Sequence, residues 1–185
     1  MPRLFIALDF PDFVKDAIAR LKTLIPSARW VNPAGMHLTL RFLGDVDEGQ
    51  FVALKSALGT LDSPPFALTV QGVGRFPPSP KKAPRVLWVG IQPEPLLDAL
   101  QAQVASVVRE LGFPPDDKPF KPHITLARLK THKPTPEADM FLDAHSDFAL
   151  PSFEVQAFYL VSSVLSPQGA QYTHEAAYPL LQAAD

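Results

Sequence analysis

This chain predicts an α+β fold with a rough internal repeat, and three observations carry that prediction. First, a short phrase occurs twice. Met36-His37-Leu38-Thr39-Leu40-Arg41-Phe42-Leu43-Gly44 and Lys121-Pro122-His123-Ile124-Thr125-Leu126-Ala127-Arg128-Leu129 share His-x-Thr-Leu, with their histidines 86 residues apart in a chain of 185. Second, strand-like runs alternate with segments of helical periodicity in both halves. Third, 46% hydrophobic residues at this length suffice for one domain, or for two small lobes sharing a core.

The elements follow in order. Residues 3–9 are an apolar strand-like run, and Pro11 to Ile25 places Phe13, Val14, Ala17, Ile18, Leu21, Leu24 and Ile25 on one helical face before Pro26. Ala28 to Val31 is a short extended piece, Asn32-Pro33-Ala34-Gly35 a turn, and the first His-x-Thr strand runs to Gly44. Within 47–61, Phe51, Leu54, Leu58 and Leu61 recur at helical spacing until Pro64-Pro65. Phe66–Val73 and Arg85–Ile91 are rich in strand formers and joined by a proline-rich loop, so they form a long-looped hairpin. Pro95 to Leu111 is a helix with Gly112 as its C-terminal glycine. The second His-x-Thr strand follows, then a helix within 136–145. Phe153–Val164 and Tyr172–Leu180 close the chain as a hairpin around Ser166-Pro167-Gln168-Gly169.

Composition excludes several classes. Net charge is −2 and the pI about 6.2, which does not suit coating of duplex nucleic acid by bulk charge. With no cysteine there are no disulfides, thiolate metal sites or cysteine nucleophile. The opening hydrophobic run is too short for a signal peptide and no stretch of membrane-spanning length occurs, so a cytoplasmic protein without membrane attachment is expected.

Chemistry concentrates in the repeated phrase. Side chains alternate along a strand, so His37 and Thr39 share one face and His123 and Thr125 do likewise, with Leu38, Leu40, Ile124 and Leu126 on the other. Taken singly, a strand histidine is most often a half-buried residue with one hydrogen bond, and a threonine merely a good strand former. Repetition of the polar pair argues against packing as its cause, because valine or leucine would pack as well. Two imidazoles facing one centre suit proton transfer on both sides of a reacting phosphorus, with threonine hydroxyls donating to its non-bridging oxygens. A metal site is the rival, but neither phrase contains a carboxylate and two histidines alone make a poor cage.

His37-Leu38-Thr39-Leu40 with Phe42-Leu43-Gly44, and His123-Ile124-Thr125-Leu126-Ala127-Arg128, resemble the paired signatures of the 2H phosphoesterase superfamily, specifically its RNA 2′,3′-cyclic phosphodiesterases, also called 2′-5′ RNA ligase-like proteins. The resemblance runs the whole length: Arg3 to Leu8 resembles the family's opening strand, Gly74 to Pro77 with Pro84 to Gly90 its central hairpin, and Ser163 to Leu180 its closing one. It implies a single bilobal unit over residues 1–185, with two pseudo-symmetric lobes of mainly antiparallel sheet, helices outside and the active cleft between them. It further implies hydrolysis of a terminal RNA 2′,3′-cyclic phosphate to a 2′-phosphate without metal or cofactor, and reversible 2′-5′ joining in some members. By family analogy His37 donates a proton to the departing 3′-oxygen and His123 activates water, although exchanged roles would leave the sequence unchanged.

Arg128 stands where the family commonly has a phosphate-contacting arginine, yet its odd separation from His123 equally fits a solvated residue on the opposite strand face. Arg41, four residues after His37, is expected on the same face as that ring and is a weaker substrate-binding candidate. Arg75, Lys81, Lys82 and Arg85 make the central loop basic, either simply solvated or guiding RNA. Trp30, Phe42 and Phe120 are candidates for stacking on a base, against the commoner core role. His132, His145 and His174 lack the phrase and receive no role. RNA ends or nucleoside 2′,3′-cyclic phosphates are the expected partners of a monomer. The alternatives are a 2H enzyme acting on small cyclic nucleotide phosphates or 2′-5′ linkages, and a module that binds RNA ends without turnover. The latter would be served as well by arginine or lysine in place of the histidines.

Overall fold

The computed structural model describes residues 1–182. The first half runs β1 (Arg3–Leu8), α1 (Asp12–Ala19), β2 (Ala28–Trp30), a 3₁₀ turn at Pro33–Gly35, β3 (Leu38–Asp45), α2 (Glu48–Leu58), β4 (Phe66–Leu68) and β5 (Val70–Phe76). The second runs β6 (Val86–Ile91), α3 (Pro95–Glu110), β7 (His123–Leu129), α4 (Pro136–Ala144), β8 (Phe153–Val155), β9 (Ala157–Ser166) and β10 (Gly169–Pro179). This is the α+β order expected, with three local differences. α1 stops at Ala19, because the amides of Leu21 and Lys22 turn back to the carbonyls of Ile18 and Ala19. Pro26 disfavours helical geometry at the residue before it, and Leu24, expected on the apolar face, is 92% exposed. The runs Phe66–Val73 and Phe153–Val164 each divide into two strands that join different sheets. The last strand starts at Gly169, directly after the two-residue turn Pro167-Gln168.

Local chemistry explains the helix ends. Asp47 caps α2 by accepting from the Gln50 amide, and the Asp47 amide in turn donates to Gln50 Oε1. α3 begins with Pro95 at its first position under a cap from Glu94 Oε1, and ends before Gly112, whose φ of 91° a residue with a Cβ would resist.

Two four-stranded sheets, ordered β10-β9-β1-β3 and β2-β7-β6-β5, are built from antiparallel pairs, with β4-β8 as a two-stranded link. The repeat is visible in the pairing. The series β1, α1, β3, α2, β4, β5 corresponds to β6, α3, β7, α4, β8, β9, with β2 and β10 added. β5 pairs with β6, and β9 pairs with β1, so each half contributes its final strand to the other half's sheet. One buried cluster then joins both sheets and all four helices: Leu4, Ile6, Leu8, Leu38 and Leu40 from the first sheet, Leu87, Val89, Ile124 and Leu126 from the second, and helix residues including Ile18, Leu54, Val104 and Phe141. Each sheet therefore has one face covered by helices and one left for His37, Thr39, His123 and Thr125.

Candidate active site

β3 carries a bulge against β1. Leu38 stands opposite Leu8 and Thr39 opposite Ala7, but the register then slips, so that Arg41 stands opposite Ile6 and Phe42 opposite Phe5. Phe5 and Ala7 belong to the open face of the sheet, whereas Ile6 and Leu8 belong to the core. Leu40 and Arg41 thus occupy the core side in succession, and Phe42 returns to the face of His37 and Thr39. β7 has the same bulge at the same place. Gly90 stands opposite His123, Trp88 opposite Thr125, Leu87 opposite Ala127 and Val86 opposite Arg128. Leu126 and Ala127 are buried consecutively, at 1% and 0% exposure. Arg128, despite its odd spacing, therefore lies on the open face with His123 and Thr125.

The two imidazoles are oriented by one device. His37 Nδ1 donates to the carbonyl of Gly35 at 2.7 Å, and His123 Nδ1 to the carbonyl of Lys121 at 2.6 Å, each two residues back. A carbonyl only accepts, so Nδ1 carries the hydrogen and Nε2 is left to take up or give a proton at the open face. Burial pushes the pKa of both rings below the ordinary histidine value. The Gly35 carbonyl and the Asp9 carboxylate oppose this at His37, and the Lys121 carbonyl opposes it at His123. Arg128 lowers both. β3 and β7 lie against each other, which brings the two phrases to one place. Thr39 and Thr125 are half-buried between the histidines and the bulges. The threonine hydroxyls that donate to protein atoms among the described residues are those of Thr60, Thr131 and Thr135, with Thr69 sharing a bond with Ser152.

Aromatic rings surround each histidine, and most of them were not expected from the sequence. His37 lies 4.6 Å from Phe5 and 5.2 Å from Tyr172 between ring centroids, and Phe5 stacks on Phe42 at 5.4 Å. His123 meets Phe76 edge-on at 5.0 Å and lies 6.3 Å from Trp88. Trp88 lies across Gly74, where a Cβ would overlap the indole. Phe42 is 48% exposed at the open face, so of the three stacking candidates it alone is presented there. Trp30 packs on Phe141, and Phe120 on the core. A small pocket beside His37 is lined by Asp9, Tyr159, Tyr172 and His174. There Asp9 accepts from Lys15 at 2.7 Å and lies 3.5 Å from His174. Asp9 lies beside His37 but outside both repeated phrases; its position immediately after the opening strand is the signal the sequence offers for it. Among the described residues no three His, Asp or Glu side chains are grouped as metal ligands would be, and no helix is long and apolar enough to cross a membrane.

The remaining arginines divide. Arg41 does not share the face of His37, as its four-residue spacing led us to expect. The bulge turns it aside, and its guanidinium donates to the carbonyls of Phe42 and Pro114, with Asp116 at 3.7 Å. Arg75 is not part of a solvated loop: only 4% exposed, it donates to the carbonyls of Pro77 and Lys82 and to Asp139 Oδ1, holding the central loop against α4.

A sequence model of the 2′-5′ RNA ligase superfamily matches residues 10–165. This chain belongs to that superfamily. Its relatives include the RNA 2′,3′-cyclic phosphodiesterase of Archaeoglobus fulgidus, 35% identical over 173 residues covering 92% of this chain and 96% of the relative. That of Thermus thermophilus is 37% identical over 182 residues, covering 92% and 86%. Among solved structures, E. coli LigT complexed with 3′-AMP superposes with a TM-score of 0.79 at 30% identity, covering 98% of this chain and 100% of that one. TT0787 of T. thermophilus gives 0.76 at 32% identity, covering 96% and 97%. The superfamily inferred from the paired phrase is the one found, and its α+β architecture of mainly antiparallel sheet is the fold observed.

Proposed function

We propose that this enzyme opens a 2′,3′-cyclic phosphate at the end of an RNA to a 2′-phosphate, using both lobes as one catalytic unit because each supplies one histidine. The observation that carries the reading is that β3 and β7 lie against each other with matching bulges, so that the two His-x-Thr pairs share one place with Arg128 on the same open face. A phosphate drawn to that guanidinium lies between two imidazoles whose Nε2 atoms face outward. His123 takes a proton from water as its oxygen bonds to phosphorus. The bond from phosphorus to the 3′-oxygen breaks on the opposite side, and His37 gives its Nε2 proton to that oxygen. Each histidine ends in the other's starting protonation state and resets by exchange with solvent.

Asp9 supports this division of roles. Its carboxylate favours the charged form of His37, whereas no carboxylate acts comparably on His123. Thr39, Thr125 and Arg128 hold the remaining phosphate oxygens and stabilise the charge that gathers on them. Arg41 has no part, since its donors are directed to Pro114 and Asp116. The relatives that bear the name RNA 2′,3′-cyclic phosphodiesterase support the choice of substrate.

The test is incubation with a nucleoside 2′,3′-cyclic phosphate in excess EDTA, followed by phosphorus NMR. Turnover to a single 2′-phosphate is expected. Activity lost to EDTA and restored by one divalent metal would remove the metal-free mechanism. A 3′-phosphate, or a mixture of isomers, would withdraw the assignment of His37 as donor and His123 as acceptor, since one pose yields one regiochemistry.

A further inference from the structure

Beyond the reacting phosphate, the open face of the second sheet carries an unexplained pair of charges. β2 is three residues long, and its register sets Arg29 directly opposite Arg128. Ala28 and Trp30 pack against the core, so Arg29 points to the other face, the one that carries His123, Thr125 and Arg128. Both arginines are exposed. Like charges directly opposite on neighbouring strands repel, and their Cβ atoms are only about 5 Å apart. Two other arginines have an acid beside them, Arg41 with Asp116 and Arg75 with Asp139. Among the described residues, no carboxylate forms an ion pair with Arg29 or Arg128. The side chain of Arg29 also has a definite course: its Nη2 lies 3.8 Å from where a Cβ of Gly169 would stand, so the guanidinium reaches the tip of the β9-β10 hairpin.

We propose that Arg29 binds the phosphodiester on the 5′ side of the terminal nucleotide, so that two successive phosphates of an RNA chain answer the two successive arginines. The inference rests on the cyclic phosphodiesterase reading, which places the reacting phosphate at Arg128. Arg29 is one strand further out, on the same face, and offers a planar donor set that a phosphodiester accepts. A polyanion bound across this face screens the repulsion between the two facing guanidinium groups. Arg29 is thereby a specificity-determining residue: it separates RNA ends from free nucleoside cyclic phosphates, which lack that second phosphate.

The experiment compares the intact protein with Arg29→Gln on two substrates, a short oligoribonucleotide ending in a 2′,3′-cyclic phosphate and the corresponding nucleoside 2′,3′-cyclic phosphate. The expected result is a fall of about tenfold in the oligonucleotide-to-mononucleotide ratio of kcat/KM, carried by KM. The slope of log kcat/KM against log salt for the oligonucleotide should weaken by about 0.7, the value for one phosphate contact on a single strand. Arg29→Lys should recover part of the ratio. An unchanged ratio, whether from equal losses on both substrates or from no loss, overturns the proposal. If the wild-type protein turns over neither substrate, the cyclic phosphodiesterase reading fails. The role of Arg29 is then read by fluorescence anisotropy of a labelled oligonucleotide bearing a 2′-phosphate, where equal affinity of wild type and Arg29→Gln overturns it. Because the substitution removes a like-charge pair at an exposed position, Tm should not fall, which separates binding from folding.

Discussion

β3 and β7 are the same object twice, and they differ where chemistry must be asymmetric. Each offers His-x-Thr, each bulges after the following leucine, and each holds its imidazole by a carbonyl two residues back. Five residues after the histidine, however, one strand presents Phe42 and the other Arg128. Opposite the threonine stands Ala7 in one sheet and Trp88 in the other. Asp9 follows Leu8, whose partner is Leu38, and so stands across from His37, while Gly90 stands across from His123. The duplicated frame therefore sets positions, and the substituents distinguish the two halves: a carboxylate beside one ring, an arginine on the open face of one strand, and an apolar aromatic at the matching position of the other. A perfectly symmetric site would have no preferred direction for proton flow.

The comparison is tested most severely at the shared element. His37→Ala and His123→Ala should each lower kcat by about 10²–10⁴-fold, the usual contribution of a general acid or base, with the fold unchanged by circular dichroism. A near-normal rate in either variant would mean that only one lobe is catalytic. The asymmetric position comes next. Arg128→Ala should cost about 10²-fold in kcat/KM, comparable with loss of one preorganised donor to developing charge. Phe42→Ala should cost about tenfold, carried by KM, near the lower end of the roughly 1–3 kcal/mol that base stacking contributes, because the ring is half exposed. Equal losses at the two positions would break the comparison.

A subtler effect is expected in the pH profile. Burial lowers both imidazole pKa values, so the bell-shaped kcat/KM should peak on the acid side of the ordinary histidine value of about 6.5. The alkaline limb reports the group that must be protonated. Asp9 raises the pKa of His37, so in Asp9→Asn the alkaline limb should move to lower pH while the acid limb stays. Movement of the acid limb instead would make His37 the base and reverse the assignment.

The smallest effect is on stability. A histidine whose pKa is depressed by folding binds fewer protons folded than unfolded between its two pKa values, so stability rises with pH across that window. The contribution is fully present above about 6.5, the unfolded value, and is lost as pH falls through the folded value. Thermal melts should show a lower Tm on acidification through this range. The slope should be shallower in His37→Ala and His123→Ala than in wild type, and an unchanged slope in both would show that the rings are not desolvated in solution.

By itself the sequence determined the pieces that depend on local pattern. Period-two alternation put His37 with Thr39 and His123 with Thr125. Helical spacing located α2, α3 and α4, and turn residues located both hairpins. The paired phrase pointed to the superfamily because two copies of one polar pair have no packing rationale. What only the tertiary structure decided is whatever depends on a partner strand. A bulge is a property of two strands in register, so no alternation read along β3 or β7 alone could show that Arg41 turns away while Arg128, at odd spacing, turns in. The same holds for Arg29 opposite Arg128, and for the exchange of β5 and β9 between the halves. Side-chain direction along one strand is set by the chain's own stereochemistry; which strand lies beside it, and in what register, is set by burial of the whole core at once.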